Sequence, residues 1–284
     1  MSIFTQTIEN LKAHSVAMYS TWIYHKPTRV LFDAGEGLSL AMKNYIFGID
    51  KVFLSHGHYD HIGGLVGMIY ARAAARGDKE KPLTIYYPAG ADRIEGLRRI
   101  VDTLVGNISY ELKWVGLNPG DEVVAGKNVV VQPFAVVHSR PSVGYRLVER
   151  RNRLKSELQG KSNKEIEAIA KSEGPAAVRE QYERIVLAYG GDSAPVPVQD
   201  VRGAEVLIHE ATFLKAADRR GNNHSSVHEA IQVAVKADVQ ALILAHISGR
   251  YAHEDIKEIV WNAAHDVGWK KPLAILVGRR LSKI

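Results

Sequence analysis

The sequence predicts an α/β chain folded as a sheet-rich sandwich, and three observations carry that reading. Short β-branched apolar runs recur along the 284 residues. Stretches of helical period separate them. The order also changes along the chain, with strands first mixed with helices and later alternating with them, the pattern of a layered α/β fold.

Taken in order, strands are expected at VLF near 30, KVFLS (51–55), LTIYY (83–87), NVVVQPF (128–134), SVGYRLV (142–148), IVLAYG (185–190), EVLIH (205–209), ALILAH (241–246) and LAILV (273–277). Each is short and rich in the residue types that fit a pleated, buried surface. Helices are expected at GLVGMIYARAAA (64–75), GADRIEGLRRIVDTL (90–104), HSSVHEAIQVAVKA (224–237) and AHEDIKEIVWNAA (252–264), where apolar residues return every three or four positions. No repeat or low-complexity linker divides the chain, which reads as one domain over 1–284 carrying a charged helical excursion at about 149–184. That excursion is either a solvated surface element or an arm that touches substrate or a second subunit.

Composition narrows the chemistry. At 46% hydrophobic the chain is globular. No run of 18 apolar residues exists and the N-terminus MSIFTQTIENLKAHS lacks a signal-peptide pattern, so a soluble, cytoplasmic protein without a membrane partner is expected. Cysteine is absent, which excludes disulfides, thiolate nucleophiles and cysteine-based zinc sites; any metal must use histidine and carboxylate. The net charge of +6 permits a polyanionic partner without requiring one.

The chemistry concentrates in LSHGHYDHIGGL (54–65), where His56, His58, Asp60 and His61 fall within six positions after an apolar run. In an extended or tightly turned backbone alternate side chains share a direction, so His56 and His58 can reach one ion and Asp60 and His61 a second. Gly63 and Gly64 are expected to let the chain turn sharply into the helix near Leu65. His138 follows VVVQPFAVV, Asp192 follows IVLAYGG and His246 follows ALILA. Singly, each would be a capping or core polar residue. Together they set metal-capable side chains at the C-terminal ends of three further strands, where α/β folds gather their sites. Two ions about 3.5–4 Å apart can activate water and clamp a phosphoryl group, so hydrolysis of a phosphate ester is expected.

The motifs LFDAGEG (31–37), SHGHYDH (55–61), VVHSRPSVGYRLVE (136–149), YGGDS (189–193), LIHEATF (207–213), NHSSVHEA (223–230) and AHISGRY (245–251) span about 220 residues. In that order they resemble the metallo-β-lactamase fold, and within it the ribonuclease Z branch. The resemblance implies a four-layer αββα sandwich with a dinuclear metal site at the sheet edge, usually in a homodimer. One zinc would be held by His56, His58 and His138, the other by Asp60, His61 and His246, with Asp192 bridging; Mn²⁺ or Fe²⁺ could occupy the same donors. Asp60 would orient or deprotonate the attacking water, and His224, held by Glu210, would protonate the leaving oxygen. On its residues alone His224 could equally cap a helix with Ser225 and Ser226. Asp33 would steady a ligand histidine. Ser248, Arg250 and Tyr251 would line the site or serve structure.

Two stretches depart from the branch. Where ribonuclease Z carries a glycine-rich turn of GTG type, residues 12–25 read KAHSVAMYSTWIYH. In the place of its tRNA-gripping arm stands the segment 149–184, with nine Lys or Arg against seven Glu and a single Gly-Pro step. A net charge of about +2 is weak for a polyanion clamp. The sequence therefore favours a small substrate, a 3′,5′-cyclic mononucleotide of cyclic CMP or UMP type, as taken by the anti-Pycsar-type phosphodiesterases that share this core. A ribonuclease Z-type tRNA 3′ endonuclease is the alternative. A metal-binding module that retains a nucleotide without turnover is a third class, against which the full set of ligands, base and acid speaks.

Overall fold

The computed structural model describes residues 3–76, 80–106, 108–219 and 221–284. Helix α1 (Ile3–Asn10) leads into the antiparallel strands β1 (Leu11–Val16), β2 (Ser20–His25) and β3 (Val30–Phe32). Then come α2 (Leu38–Met42), a 3₁₀ turn (Lys43–Gly48), β4 (Lys51–Phe53), α3 (Tyr59–Ile62), α4 (Leu65–Arg76), β5 (Leu83–Pro88), α5 (Asp92–Leu104) and β6 (Leu112–Leu117). Strands β3 to β6 run parallel and close a six-stranded sheet in chain order.

The second half begins with β7 (Val123–Gly126), β8 (Val129–Ala135) and β9 (Val143–Leu154). Helices α6 (Asn163–Glu173) and α7 (Pro175–Val178) precede β10 (Arg179–Tyr189), followed by α8 (Val198–Val201), β11 (Leu207–Glu210), α9 (Val227–Lys236), β12 (Leu242–Ala245), α10 (His253–Asp266), β13 (Leu273–Val277) and β14 (Arg280–Lys283). These strands build an eight-stranded sheet ordered β14-β13-β12-β11-β10-β9-β8-β7, parallel in its centre and antiparallel at both flanks.

The sheets face each other through an apolar layer, and each carries helices on its outer face. Phe32 and Phe53 of the first sheet meet Tyr145 and Tyr189 of the second, with ring centroids 5.8 Å apart for Phe32–Tyr145 and Phe32–Tyr189 and 5.4 Å for Phe53–Tyr145. On the first sheet's outer face Leu31, Val52, Leu54 and Ile85 lie under Leu38, Leu65, Ile69 and Ile94. On the second, Leu207, Leu242 and Leu244 lie under Ile231 and Val260. This is the four-layer αββα sandwich. Its central strands are buried on both faces, which is why they read as unbroken apolar runs.

The strands that escape the sequence are β2 and the four at the sheet edges, β1, β6, β7 and β14; STWIYH of β2 is buried throughout, but its Ser, Thr and His break the apolar run. LKAHSV, LKWVGL and RLSK, the strands β1, β6 and β14, mix polar with apolar residues because one face or one end meets solvent. The segment 149–184 also differs from a helical excursion. Its two ends continue β9 and β10 as a hairpin, and its tip carries a 3₁₀ turn (Ser156–Leu158), α6 and α7. Arg150–Leu154 and Arg179–Glu183 pair with each other alone, since β8 pairs with β9 only as far as Glu149 and β11 with β10 only at Ala188 and Tyr189. Charged residues mark this hairpin because both its faces are wet. They also pair across it, Arg150 with Glu183 at 3.0 Å and Arg153 with Glu180 at 2.6 Å. Such exposed pairs add little stability, but they leave the stalk without free charge at those positions.

One buried group makes stability pH-dependent. His25 ends β2 with its Nδ1 2.8 Å from Thr28 Oγ1, and burial pushes its pKa down to about 4. The folded protein thus holds His25 neutral while the unfolded chain binds a proton near pH 6.5, so stability is lost as the pH falls through that interval. His25→Gln is expected to flatten the acid limb by on the order of 1–3 kcal/mol near pH 4. Thermal unfolding of both proteins between pH 7 and 4.5 checks this, and identical slopes would refute it.

Candidate metal centre

The candidate residues sit at the C-terminal ends of strands from both sheets. Asp33 follows β3, His56 and His58 follow β4, and Asp60 and His61 lie in α3. His138 follows β8, Asp192 follows β10, Glu210 ends β11, and His246 follows β12. Two glycines allow the loops to close. A Cβ on Gly64 would run into the carbonyl oxygens of Gly35 and Ala34, against which the start of α4 packs. Gly191 has φ +61 and a Cβ there would lie 2.7 Å from Ser55 Cβ. The expected turn lies at Gly63–Gly64, between α3 and α4, but Gly63 has φ −62 and neither glycine is left-handed. Close approach, not an unusual dihedral, explains Gly64.

All seven expected ligands converge. His56, His58, His138 and Asp192 form one group that could hold a metal ion, and Asp60, His61 and His246 a second, with donor atoms within 4.8 Å in each. Asp192 lies between them: its Oδ2 is 3.8 Å from His56 Nε2 and 3.2 Å from His246 Nε2, and its Oδ1 is 3.3 Å from His61 Nε2. Asp60 Oδ2 is 3.2 Å from His246 Nε2. His224 joins Asp192 and His246 in a third group.

The hydrogen-bond network shows that these atoms face one another with lone pairs. Ser55 Oγ donates to Asp33 Oδ2 at 2.8 Å, so it accepts from His56 Nδ1–H at 3.0 Å. Thr212 Oγ1 donates to Glu210 Oε2 at 2.8 Å and accepts from His246 Nδ1–H at 2.9 Å. His61 Nδ1–H donates to Asp33 Oδ2 at 2.7 Å, and His138 Nδ1–H to the Asn223 carbonyl at 2.9 Å. Each Nε2 is left as an acceptor. Yet His138 Nε2 is 3.3 Å from His58 Nδ1, and His61 Nε2 is 3.4 Å from His246 Nε2. Asp192 Oδ1 is buried and accepts no well-formed hydrogen bond. A cage of buried acceptors is costly unless cations fill it, and imidazole with carboxylate fits a zinc, manganese or iron ion.

Electrostatics agree. Burial pushes His56 well below its ordinary pKa, His138 below it, and His58 down to about 4, so these rings are neutral donors near pH 7. His61 is the exception: burial opposes its charge, but Asp192 and Asp33 together raise it well above the usual value, so a metal ion bound there displaces a proton from its Nε2. Burial favours a protonated Asp192, yet His246 and His61 hold it well below the carboxylate range. Asp60 follows the same pattern, burial being outweighed by its His246 contact. Asp33 and His246 have φ of 54 and 55, left-handed conformations that non-glycine residues adopt at a cost and that gather at functional sites.

His224 precedes the N-cap of α9; the cap itself is Ser226, whose side chain accepts from Glu229 N in a capping box. The alternative role for His224 therefore belongs to its neighbour. His224 Nδ1–H donates to Glu210 Oε1 at 2.7 Å, and Glu210 is pinned in turn by Ser193 N, Thr212 N and Thr212 Oγ1. Burial lowers the His224 pKa, but the Glu210 carboxylate more than compensates and leaves it raised. The ring stands 5.0 Å from His138 and 5.8 Å from His246, centroid to centroid.

Sequence reasoning missed the supports. Ser55, Tyr189, Thr212 and the Asn223 carbonyl orient ligands, Tyr189 OH donating to Asp33 Oδ2 at 2.5 Å. Ser55, Tyr189 and Thr212 stand inside SHGHYDH, YGGDS and HEATF beside the residues that were singled out, which is the one signal that could have found them. Ser248, Arg250 and Tyr251 hold one another and the neighbouring loop: Arg250 Nε is 3.1 Å from Ser248 Oγ, its guanidinium lies 5.5 Å over Phe213, and Tyr251 OH donates to Asp218.

Comparison with known proteins matches residues 28–247 to the β-lactamase superfamily domain. A ribonuclease Z of Methanosarcina mazei is 34% identical over 248 residues, 79% of this chain and 80% of that protein. A ribonuclease Z of Natronomonas pharaonis is 33% identical over 249 residues, 79% of each. Among solved structures, the metallo-β-lactamase fold protein YhfI from Bacillus subtilis superposes with a TM-score of 0.64 at 17% identity, covering 96% of this chain and 99% of that one.

Proposed function

The chain belongs to the β-lactamase superfamily, as a metal-dependent hydrolase with ribonuclease Z among its relatives, and we propose that it is a ribonuclease Z-type endonuclease cutting RNA near the 3′ end of precursor tRNA. His56, His58 and His138 would hold one zinc ion and Asp60, His61 and His246 the other, with Asp192 shared. Bound there, the ions would activate water and neutralise charge on the phosphoryl oxygens. Asp60, ionised under the influence of His246 and fixed by Met18 N–H at 2.9 Å, orients the attacking water and takes its proton. As the P–O bond breaks, the departing alkoxide takes a proton from His224, whose Nδ1 is tied to Glu210 and whose Nε2 is free to donate.

One observation carries RNA over the small cyclic nucleotide that the charged segment favours on sequence alone. The metal cluster is rimmed by exposed side chains: Met18 is 83% exposed, Tyr19 68%, Val137 65% and Tyr59 63%. Sites for small ligands are concave and bury most of the ligand, whereas an open apolar and aromatic rim suits a strand laid across it. The name shared by the relatives supports the same choice.

The test sets precursor tRNA against 3′,5′-cyclic CMP, UMP, AMP and GMP, with and without chelator. Cleavage of the RNA that chelator abolishes and zinc restores is expected. Intact precursor tRNA beside an opened cyclic nucleotide would reverse the assignment.

A further inference from the structure

The turn between β1 and β2, where glycine-rich sequence is replaced by Ala17–Met18–Tyr19, lies on the Asp60 and His246 side of the metal cluster. Met18 N–H donates to Asp60 Oδ2 at 2.9 Å, and Ala17 N–H points to the carbonyl of Ile247, the residue after His246. Ser15 Oγ, near the end of β1, accepts the His246 N–H at 2.8 Å. The turn is thus clamped to both ligands. Met18 adopts φ 70, a left-handed conformation that disfavours any residue with a Cβ. A glycine would sit there without strain, yet this chain places two large apolar side chains in succession, 83% and 68% exposed. Tyr19 Cε2 lies 3.9 Å from the position a Cβ would take on Gly249, so the ring leans on the loop that follows His246. No core, cap or fold requirement explains a bulky exposed pair on a strained turn fixed to a metal ligand.

We propose that Tyr19 is a substrate-binding residue whose ring stacks on the nucleobase adjoining the scissile phosphate. The inference rests on the RNA reading and names one contact within it. Every base presents a π-face, so such a platform holds the strand in place without selecting its sequence. The turn's hydrogen bond to Asp60 sets the platform at a fixed distance from the reacting phosphorus.

The experiment compares wild type, Tyr19→Ala and Tyr19→Trp on one precursor RNA and on two copies of it, each with a single abasic nucleotide on one side of the scissile bond. On intact RNA, Tyr19→Ala is expected to raise KM about 5- to 100-fold, the range of one lost base–aromatic stack. Its kcat and bound metal should stay near wild type, and Tyr19→Trp should restore KM. On one of the abasic substrates wild type and Tyr19→Ala should have the same KM. Cleavage by wild type with an unchanged KM in Tyr19→Ala overturns the stacking role alone. So does a loss of equal size on intact and both abasic substrates. Wild type inert on every RNA overturns the RNA reading and this inference with it.

Discussion

Asp192→Ala is expected to hold fewer than two metal ions per chain and to lose more than about 10³-fold in activity, beyond the 10- to 100-fold typical of residues that only support a ligand. Among the described residues Asp192 is the one carboxylate within reach of both groups, 3.8 Å from His56, 3.3 Å from His61 and 3.2 Å from His246. Without it, His56 has no carboxylate facing its Nε2, and His61 and His246 keep only Asp60, at 3.7 and 3.2 Å. The same substitution should uncouple stability from metal. In wild type, stripping the ions leaves the buried Asp192 Oδ1 unsatisfied among acceptors, so chelation should lower Tm sharply. Ligand binding at 1,000 times its dissociation constant stabilises by about 4 kcal/mol, and most of that difference should vanish in the variant. Metal content by atomic emission and melting curves with and without chelator provide the check. A variant carrying two ions and full activity would remove Asp192 from the centre.

How far the sequence reaches depends on what each residue's neighbours demand. Most central strands were legible because burial on both faces forces an apolar run, as in LILA of β12, whereas STWIYH of β2 is just as buried but hides its strand behind Ser, Thr and His. The strands β1, β6 and β14 were not, because a single buried face tolerates Lys, His, Ser and Arg on the other. The ligand candidates stood out because four metal-capable side chains within six positions have no cheap structural use. Thr212 did not, since its task arises from bringing β11 to the loop after β12: only there does one hydroxyl join Glu210 to His246. In the sequence Tyr189 ends an apolar strand, and only the fold brings its hydroxyl to Asp33 across the sandwich, 156 positions away. The helical reading of 149–184 describes the tip alone, and the paired ends escaped it for the opposite reason. A two-stranded hairpin wet on both faces carries no burial period, so its charge pattern resembles that of a solvated helix.

His224→Ala separates chemistry from metal binding, and its size should depend on the leaving group. His224 reaches none of the seven proposed ligands through a hydrogen bond of its own; it is held by Glu210 Oε1 at 2.7 Å and lies against Thr212 Oγ1 at 3.3 Å. The variant should therefore keep its metal complement while RNA cleavage falls about 10²–10⁴-fold, the usual contribution of a positioned acid. An RNA alkoxide leaves poorly without a proton. A p-nitrophenolate leaves well unprotonated, so hydrolysis of a p-nitrophenyl diester by the same variant should fall far less. Glu210→Gln should show a weaker form of the same split, because the amide still orients the ring but no longer favours its charged form. Losses of equal size on both substrates would make His224 a binding or structural residue. Loss of metal along with activity would place it among the ligands, with Asp192 and His246.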